Sequence, residues 1–301
     1  MATSMTANTT AARRDDRGRK FSIGQILARG IFYILVALIL LYTLIPFYWA
    51  IRSSLMPTDQ LTATPVRYFP SSPTFNNFRL VFQDPQFQRA LINSTIVALS
   101  VTLLALVVGA FAAYALGRFK FKGRTPVLYL VLSMTMFPQI AILGSLFQMV
   151  NQFGLYNRLG SLVLTYLVFT LPFTVWVLTS FFRQLPAALE EAAYVDGATP
   201  FQTFYKVLLP LAGPGLVTTG LLAFIGAWNE FLFAVSFTQT PEHRTVPPAI
   251  ANFAGATGSG FEVPWGSIMA ATVIVTVPIV VLVLIFQRKI LAGLTAGAVK
   301  G

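Results

Sequence analysis

Residues 92–116 read INSTIVALSVTLLALVVGAFAAYAL, 25 positions without a charge. A helix rises ~1.5 Å per residue and the hydrocarbon core of a bilayer is ~30 Å thick, so about 20 such residues cross it. Membrane β-strands are shorter, at about 10 residues, and alternate in polarity; this run does neither. Working outward, comparable stretches lie at 30–51, 126–150, 160–182, 215–238 and 268–286, so that the six runs measure 19 to 25 residues each. Of the 31 charged residues in the chain, Glu230 alone falls inside one of them. The pattern predicts an all-α membrane protein with six transmembrane helices.

Composition agrees. The 301 residues are 55% hydrophobic and 10% charged, with 27 Phe and a mean hydropathy of +0.70. Average soluble domains carry about 25% charged residues, so a water-soluble enzyme is excluded. The first apolar run is too long for a signal-peptide core and has no A-x-A cleavage pattern, so it is expected to remain as a span.

The net charge of +11 is unevenly placed. Segments 1–29, 117–125, 183–214 and 287–301 hold 15 Lys and Arg, against six in the intervening loops. By the positive-inside rule, both termini and the 117–125 and 183–214 loops are expected in the cytoplasm. The basic excess is thereby topological, and no aromatic-interleaved patch suggests nucleic acid. With no Cys and His243 as the single histidine, disulfides, thiolate chemistry and His-rich metal sites are excluded. No phosphate-binding G-x-x-x-x-G-K-[ST] loop is present, so any ATP used is bound by another chain.

Outer segments 52–91 and 239–267 are broken by Pro57, Pro65, Pro70, Pro73 and Pro85 and by Pro247, Pro248, Gly255, Gly258 and Gly260. Both read as ordered loops. In the second span Gly109, Ala113 and Gly117 recur every four residues, a row that lets helix backbones approach closely. Asn93, Gln139, Tyr166 and Thr170 are expected to make interhelical hydrogen bonds, and Pro138, Pro172 and Pro278 to mark kinks or breaks.

The segment Arg183 to Gly215, RQLPAALEEAAYVDGATPFQTFYKVLLPLAGPG, predicts two short helices on the cytoplasmic surface. Pro186 suits a first helical turn and Gly197 a left-handed stop, giving a helix over 186–196. Thr199-Pro200 reads as an N-cap and first residue, followed by Phe201, Phe204, Tyr205 and Leu208 at i, i+3, i+4 and i+7 until Pro210. Glu190, Glu191, Asp196 and Lys206 then face water or a partner.

Glu191-Ala192-Ala193, three residues, Gly197, nine residues, then Val207-x-Leu209-Pro210 resembles the EAA loop of ABC-importer permeases, with Val207 where that pattern usually has Ile. Nearly the whole chain resembles the binding-protein-dependent sugar permeases, most closely the six-helix subunit of the maltose and trehalose type. Supporting stretches are Trp228-Asn229-Glu230-Phe231, Arg244-Thr245-Val246-Pro247, Pro264-Trp265-Gly266 and the tail Gly293 to Gly301. The resemblance implies a type I ABC importer permease fold with a cytoplasmic N-terminal segment 1–29, a first helix and outer loop 30–89, a permease core 90–287 and a cytoplasmic tail 288–301. It implies a prokaryotic inner-membrane location and a heterodimeric pore with a second permease. It also implies two ATPase subunits below that hold ATP and Mg, an extracytoplasmic solute-binding protein above, and no cofactor bound by this chain itself. The coupling set would be Glu190, Glu191, Ala192, Ala193, Asp196, Gly197, Leu209 and Pro210, with Gly197 as the corner of a hairpin seated in the ATPase.

Glu230 is the other candidate. An acid at a helix midpoint costs roughly 2.5 to 3.5 kcal/mol on insertion scales, so it is expected to face the bundle interior or a wet cavity. Trp228, Asn229 and Glu230 together offer stacking and hydrogen bonds to a sugar in the pathway; the competing reading has Asn229 and Glu230 tying span five to its neighbours. A secondary sugar transporter is the rival function, but such proteins favour several intramembrane acids and inverted repeats, and neither is visible. An intramembrane enzyme lacks a catalytic constellation.

Overall fold

The computed structural model describes residues 23–256 and 263–296, all helix, turn or loop. Two compact units meet in the chain at Trp49–Ala50. In the first, α1 (Ile23–Ser54) begins; it passes through Pro46 and supplies an apolar span. The second unit contains the end of α1 and everything after it.

There α2 (Asn76–Gln83) leads into the 34-residue α3 (Pro85–Arg118). Asp84 caps α3 by accepting the Gln86 amide at 2.9 Å, and Pro85 occupies the first turn, where its missing N–H costs nothing. Span two therefore starts seven residues before the charge-free run. α4 (Arg124–Met134) and α5 (Gln139–Gln152) follow, then α6 (Leu159–Gln184). A hairpin of α7 (Ala188–Val195) and α8 (Pro200–Leu211) precedes α9 (Gly213–Asn229). The short α10 (Leu232–Phe237), α11 (Val246–Ala256) and the long α12 (Trp265–Ala296) complete the chain.

Among the described residues four helices are long and apolar enough to cross a membrane alone, and six crossings result if each of two bent pairs counts as one. Those pairs are α4 with α5 and α8 with α9; the fifth expected span is broken at its far end as well. α4 and α5 meet at 95° across Thr135–Pro138, where Pro138 lacks an amide and disfavours helical backbone in the residue before it. The fifth run, 215–238, stops at Glu230, whose backbone is extended (ψ 128°), and restarts as α10. Pro172 and Pro278 break nothing: both sit inside continuous helices. The outer segment 239–267 is also more regular than expected, because Pro247 and Pro248 open α11 rather than interrupt it.

Lipid tails are as apolar as Leu, so helices in a bilayer associate through close packing rather than water exclusion. α3 and α6 show this. A Cβ on Gly109 would lie 2.7 Å from Thr174 Cγ2, and one on Gly117 would lie 3.0 Å from Phe182 Cβ. Ala113 packs in the same seam with Leu178 and Phe182, so the four-residue row is a helix interface. α9 joins on another side, with Gly220 against Leu106. Val97, Val101, Leu162, Phe224, Phe233 and Phe237 form the central core.

Candidate functional site

The hairpin α7–α8 is built from local signals. The Ala198 amide reaches back to the Ala193 carbonyl at 2.9 Å and the Gly197 amide to Tyr194 at 3.0 Å, the paired bonds of a Schellman turn. That turn needs left-handed backbone after the helix, and Gly197 supplies it with φ 80°. An ideal Cβ there would meet nothing within 4 Å, so glycine is required by conformation, and the corner itself is open. Thr199 and Gln202 then form a reciprocal capping box that starts α8 with Pro200 in its first turn. Across Thr203–Leu208 the helix widens to a π turn, with the Leu209 amide bonded to the Phe204 carbonyl, before Pro210 and a 75° bend into α9.

The root of the hairpin is packed and its tip is bare. Phe204 and Leu208 are buried against Ala110, Tyr114 and Phe182 of α3 and α6, and the Phe204 ring lies 4.9 Å from that of Tyr114. Phe201 and Tyr205, expected on the same face, are exposed. Glu191, Ala192, Asp196, Gly197 and Pro210 are exposed, Ala193 is buried and Leu209 half-buried. Glu190 departs from the expected outward set. Its Oε1 accepts Arg118 Nε at 2.7 Å, with side-chain exposures of only 17% and 10%. Arg118 also donates to the carbonyls of Leu185 (2.8 Å) and Phe182 (3.3 Å). Glu190 therefore ties the hairpin to α3, leaving Glu191 and Asp196 as the acids a partner can meet.

Near the middle of the bundle, Glu230 resolves its own desolvation. Its two oxygens accept the amides of Phe233 (2.9 Å) and Ala234 (3.1 Å), the unpaired donors at the start of α10, where the helix dipole also favours negative charge. The break in span five and its acid are thus one feature: the carboxylate takes the place of the backbone carbonyls that a continuous helix would offer. Glu230 also lines a half-open cavity of about 260 Å³ with Gln139, Tyr166, Thr170, Phe173 and Gly226. The Tyr166 hydroxyl is buried and makes no hydrogen bond within normal limits among the described residues. Trp228 does not belong to this wall. It is 4% exposed and stacked on Phe224, 5.6 Å between centroids, so it has no free face for a ligand; Asn229 is exposed and is not among the residues lining the cavity. Thr170 bonds to the Tyr166 carbonyl of its own helix, not to a neighbour.

At the opposite end of α3 from Arg118, neutral side chains hold the 239–246 loop. Asn93 donates to the carbonyls of Glu242 and Arg244, both at 2.8 Å, and Ser94 Oγ accepts the Val246 amide. Asn157, at φ 56°, accepts the amides of Gln239 and Thr240 and donates to the Thr240 hydroxyl. The Glu242 carboxyl is held below the usual carboxylate range by hydrogen bonds from its own amide and Thr240, helped by His243 and Arg244.

With this geometry in hand, residues 105–295 match the family model described as the binding-protein-dependent transport system inner membrane component. The chain belongs to this family. As a permease of that family it is 47% identical over 268 residues to the trehalose transport system permease protein SugB of Mycobacterium tuberculosis, covering 89% of this chain and 96% of the relative. It is 43% identical to the trehalose/maltose transport system permease protein MalG of Thermococcus litoralis, covering 92% and 99%. A bacterial ABC transporter that imports the acidic polysaccharide alginate shares the fold at a TM-score of 0.77 and 21% identity, over 89% of this chain and 98% of that one. The type I importer permease fold follows, as does a multi-pass membrane protein whose chain carries no ATPase of its own. In the permease, Arg118 and Asn157 fasten the hairpin and the 239–246 loop, and sequence reasoning missed both. Asn157 left one signal, since Asn tolerates left-handed backbone; Arg118 left none, because its partner is 72 residues away.

Proposed function

We propose that this permease forms one half of the membrane pathway of an ATP-driven importer for a glucose disaccharide of the trehalose or maltose kind. The observation that carries the reading is the α7–α8 hairpin: an exposed glycine corner with two free acids, on a root packed into α3 and α6. Such a part transmits displacement. A partner ATPase that closes around ATP and Mg would pull on the tip, and the buried Phe204 and Leu208 would carry that movement into the membrane helices. Relatives named for trehalose and maltose support the substrate class.

The pathway contribution of this chain is then the cavity of Gln139, Tyr166, Thr170 and Glu230, replacing the Trp228-centred set. A heterodimer with a second permease, two ATPase subunits, and a solute-binding protein docking on the face that carries the 239–246 loop complete the assembly; both termini lie in the cytoplasm. The division into segments 1–29, 30–89, 90–287 and 288–301 belongs to the same reading.

The test is uptake of labelled trehalose or maltose into proteoliposomes holding the whole complex. Uptake should require ATP inside and binding protein outside. Uptake driven by an ion gradient without ATP would establish a secondary transporter instead.

A further inference from the structure

At the end of α3 that carries the hairpin, four cations from two separate stretches line one open cleft of about 640 Å³: Lys120, Lys122, Arg124 and Arg183, with Phe121, Gly123, Thr125 and Pro126. Topology accounts for basic residues on one side of a membrane but does not require them to converge. Here Arg183 comes from the end of α6, some sixty residues from the loop that supplies the others, and none of the four has a carboxylate within ion-pair distance among the described residues. Repulsion is therefore left uncompensated, although three acids lie in the nearby hairpin, one of them already taken by Arg118.

The two arginines are also held in place. Arg124 donates to the carbonyls of Gly117 (3.2 Å) and Phe119 (3.4 Å), and Arg183 to that of Leu116 (3.5 Å). The Leu116 and Gly117 carbonyls belong to the last turn of α3, where they have no helical partner and carry partial negative charge, and Phe119 follows directly after it. Each guanidinium has five N–H donors, so the anchoring leaves several for a ligand. The surroundings identify the kind of ligand. Phe119 and Phe121 are exposed beside the lysines, and α4, which begins at Arg124, exposes Val127, Tyr129 and Leu130. A cation cluster directly beneath an exposed apolar helix face is matched by a molecule with a phosphate at one end and acyl chains at the other.

We propose that Lys120, Lys122, Arg124 and Arg183 bind the phosphate of an anionic phospholipid headgroup, whose acyl chains lie along α4. Basic clusters next to a span gain about 1 kcal/mol per Lys or Arg from anionic lipid, on the order of fivefold in binding for each cation. The site lies beside the root of the coupling hairpin, so an occupied cleft would stiffen the helix ends that the hairpin must move.

The experiment uses the assembled transporter in nanodiscs of mixed phosphatidylglycerol and phosphatidylcholine, with bound lipid counted by native mass spectrometry. Lys120→Gln with Lys122→Gln, two side chains that make no described hydrogen bond, should lower retained phosphatidylglycerol by an order of magnitude or more and leave phosphatidylcholine unchanged. Arg79→Gln, an exposed arginine elsewhere, should change neither. Arg124→Lys should fall between, since it keeps charge but loses the fork. Equal phosphatidylglycerol retention in wild type and double variant would overturn the proposal. So would displacement of the lipid by millimolar inorganic phosphate, which marks a free-anion site. Loss of the difference when the ATPase subunits are stripped away would point to a protein surface and overturn it as well.

Discussion

The two ends of the α3–α6 pair solve the same problem, fastening a loop to a pair of membrane helices, by opposite chemistry. About 37 Å separates Asn93 from Arg118 at the helical rise. At the Asn93 end the 239–246 loop is held by amide and hydroxyl groups that meet its backbone directly. At the Arg118 end the hairpin is held by ring packing and one ion pair, and its own backbone bonds are spent internally on the Schellman turn and capping box. A loop bonded through its backbone has its shape set by the bundle. A hairpin that closes its own hydrogen bonds keeps its shape while its root tilts. The first suits a fixed rim, the second a lever.

The sharpest way to break this contrast is Gly197→Val. Left-handed backbone costs an L-residue roughly 1 to 2 kcal/mol, and a β-branched one more, so the Schellman turn should open and the lever lose its corner. Transport should drop more than tenfold while the chain still inserts and assembles, with ATP hydrolysis no longer stimulated by the binding protein. Wild-type uptake from that variant would remove the lever from the account.

At the rim, Asn157→Ala strands the amides of Gln239 and Thr240. Both amides lie where water reaches them, so the loss is on the order of 1 kcal/mol for each hydrogen bond. Thermal unfolding of the purified complex should come earlier, and binding-protein affinity should weaken, whereas the ATPase should still bind. Arg118→Met is the matching change at the hairpin end. It leaves Glu190, whose side chain is only 17% exposed, without its partner and frees the Leu185 carbonyl, so a cost of about 1 to 3 kcal/mol is expected. Its signature is weaker ATPase co-purification with binding-protein affinity intact. If both variants weaken both partners alike, the two ends are not distinct.

How much of this was legible beforehand follows from the same physics. The six spans were readable because charge is excluded from lipid at several kcal/mol per residue, which leaves a signal in single letters. The Gly109, Ala113, Gly117 row and the Gly197 corner were readable because spacing or backbone conformation demanded one small residue. Which face of a span turns inward was not. A lipid-facing and a protein-facing side of a membrane helix are both apolar, so nothing in the letters told buried Trp228 from a pathway residue. Glu190 stood beside Glu191 and Asp196 with identical credentials, and only folding brings Arg118 to it. The break at Glu230 was hidden for a related reason, since no proline or glycine marks it.

Glu230 offers the smallest and most discriminating test, because it lies between the two ends and serves neither loop. Its carboxylate accepts two amides of its own next turn, so Glu230→Gln keeps one oxygen acceptor and places an NH2 against the second amide. The loss is about one charged hydrogen bond, roughly 1 to 2 kcal/mol, offset by the removal of a charge from the membrane. Stability and subunit assembly should stay near wild type. Because the same carboxylate borders the cavity with Gln139, Tyr166 and Thr170, the change should appear in uptake kinetics, as a several-fold rise in the half-saturating concentration of binding-protein–sugar complex or a lowered maximal rate. An unchanged uptake curve would leave Glu230 as a helix cap alone, and normal assembly with altered uptake would make the broken span a part of the route.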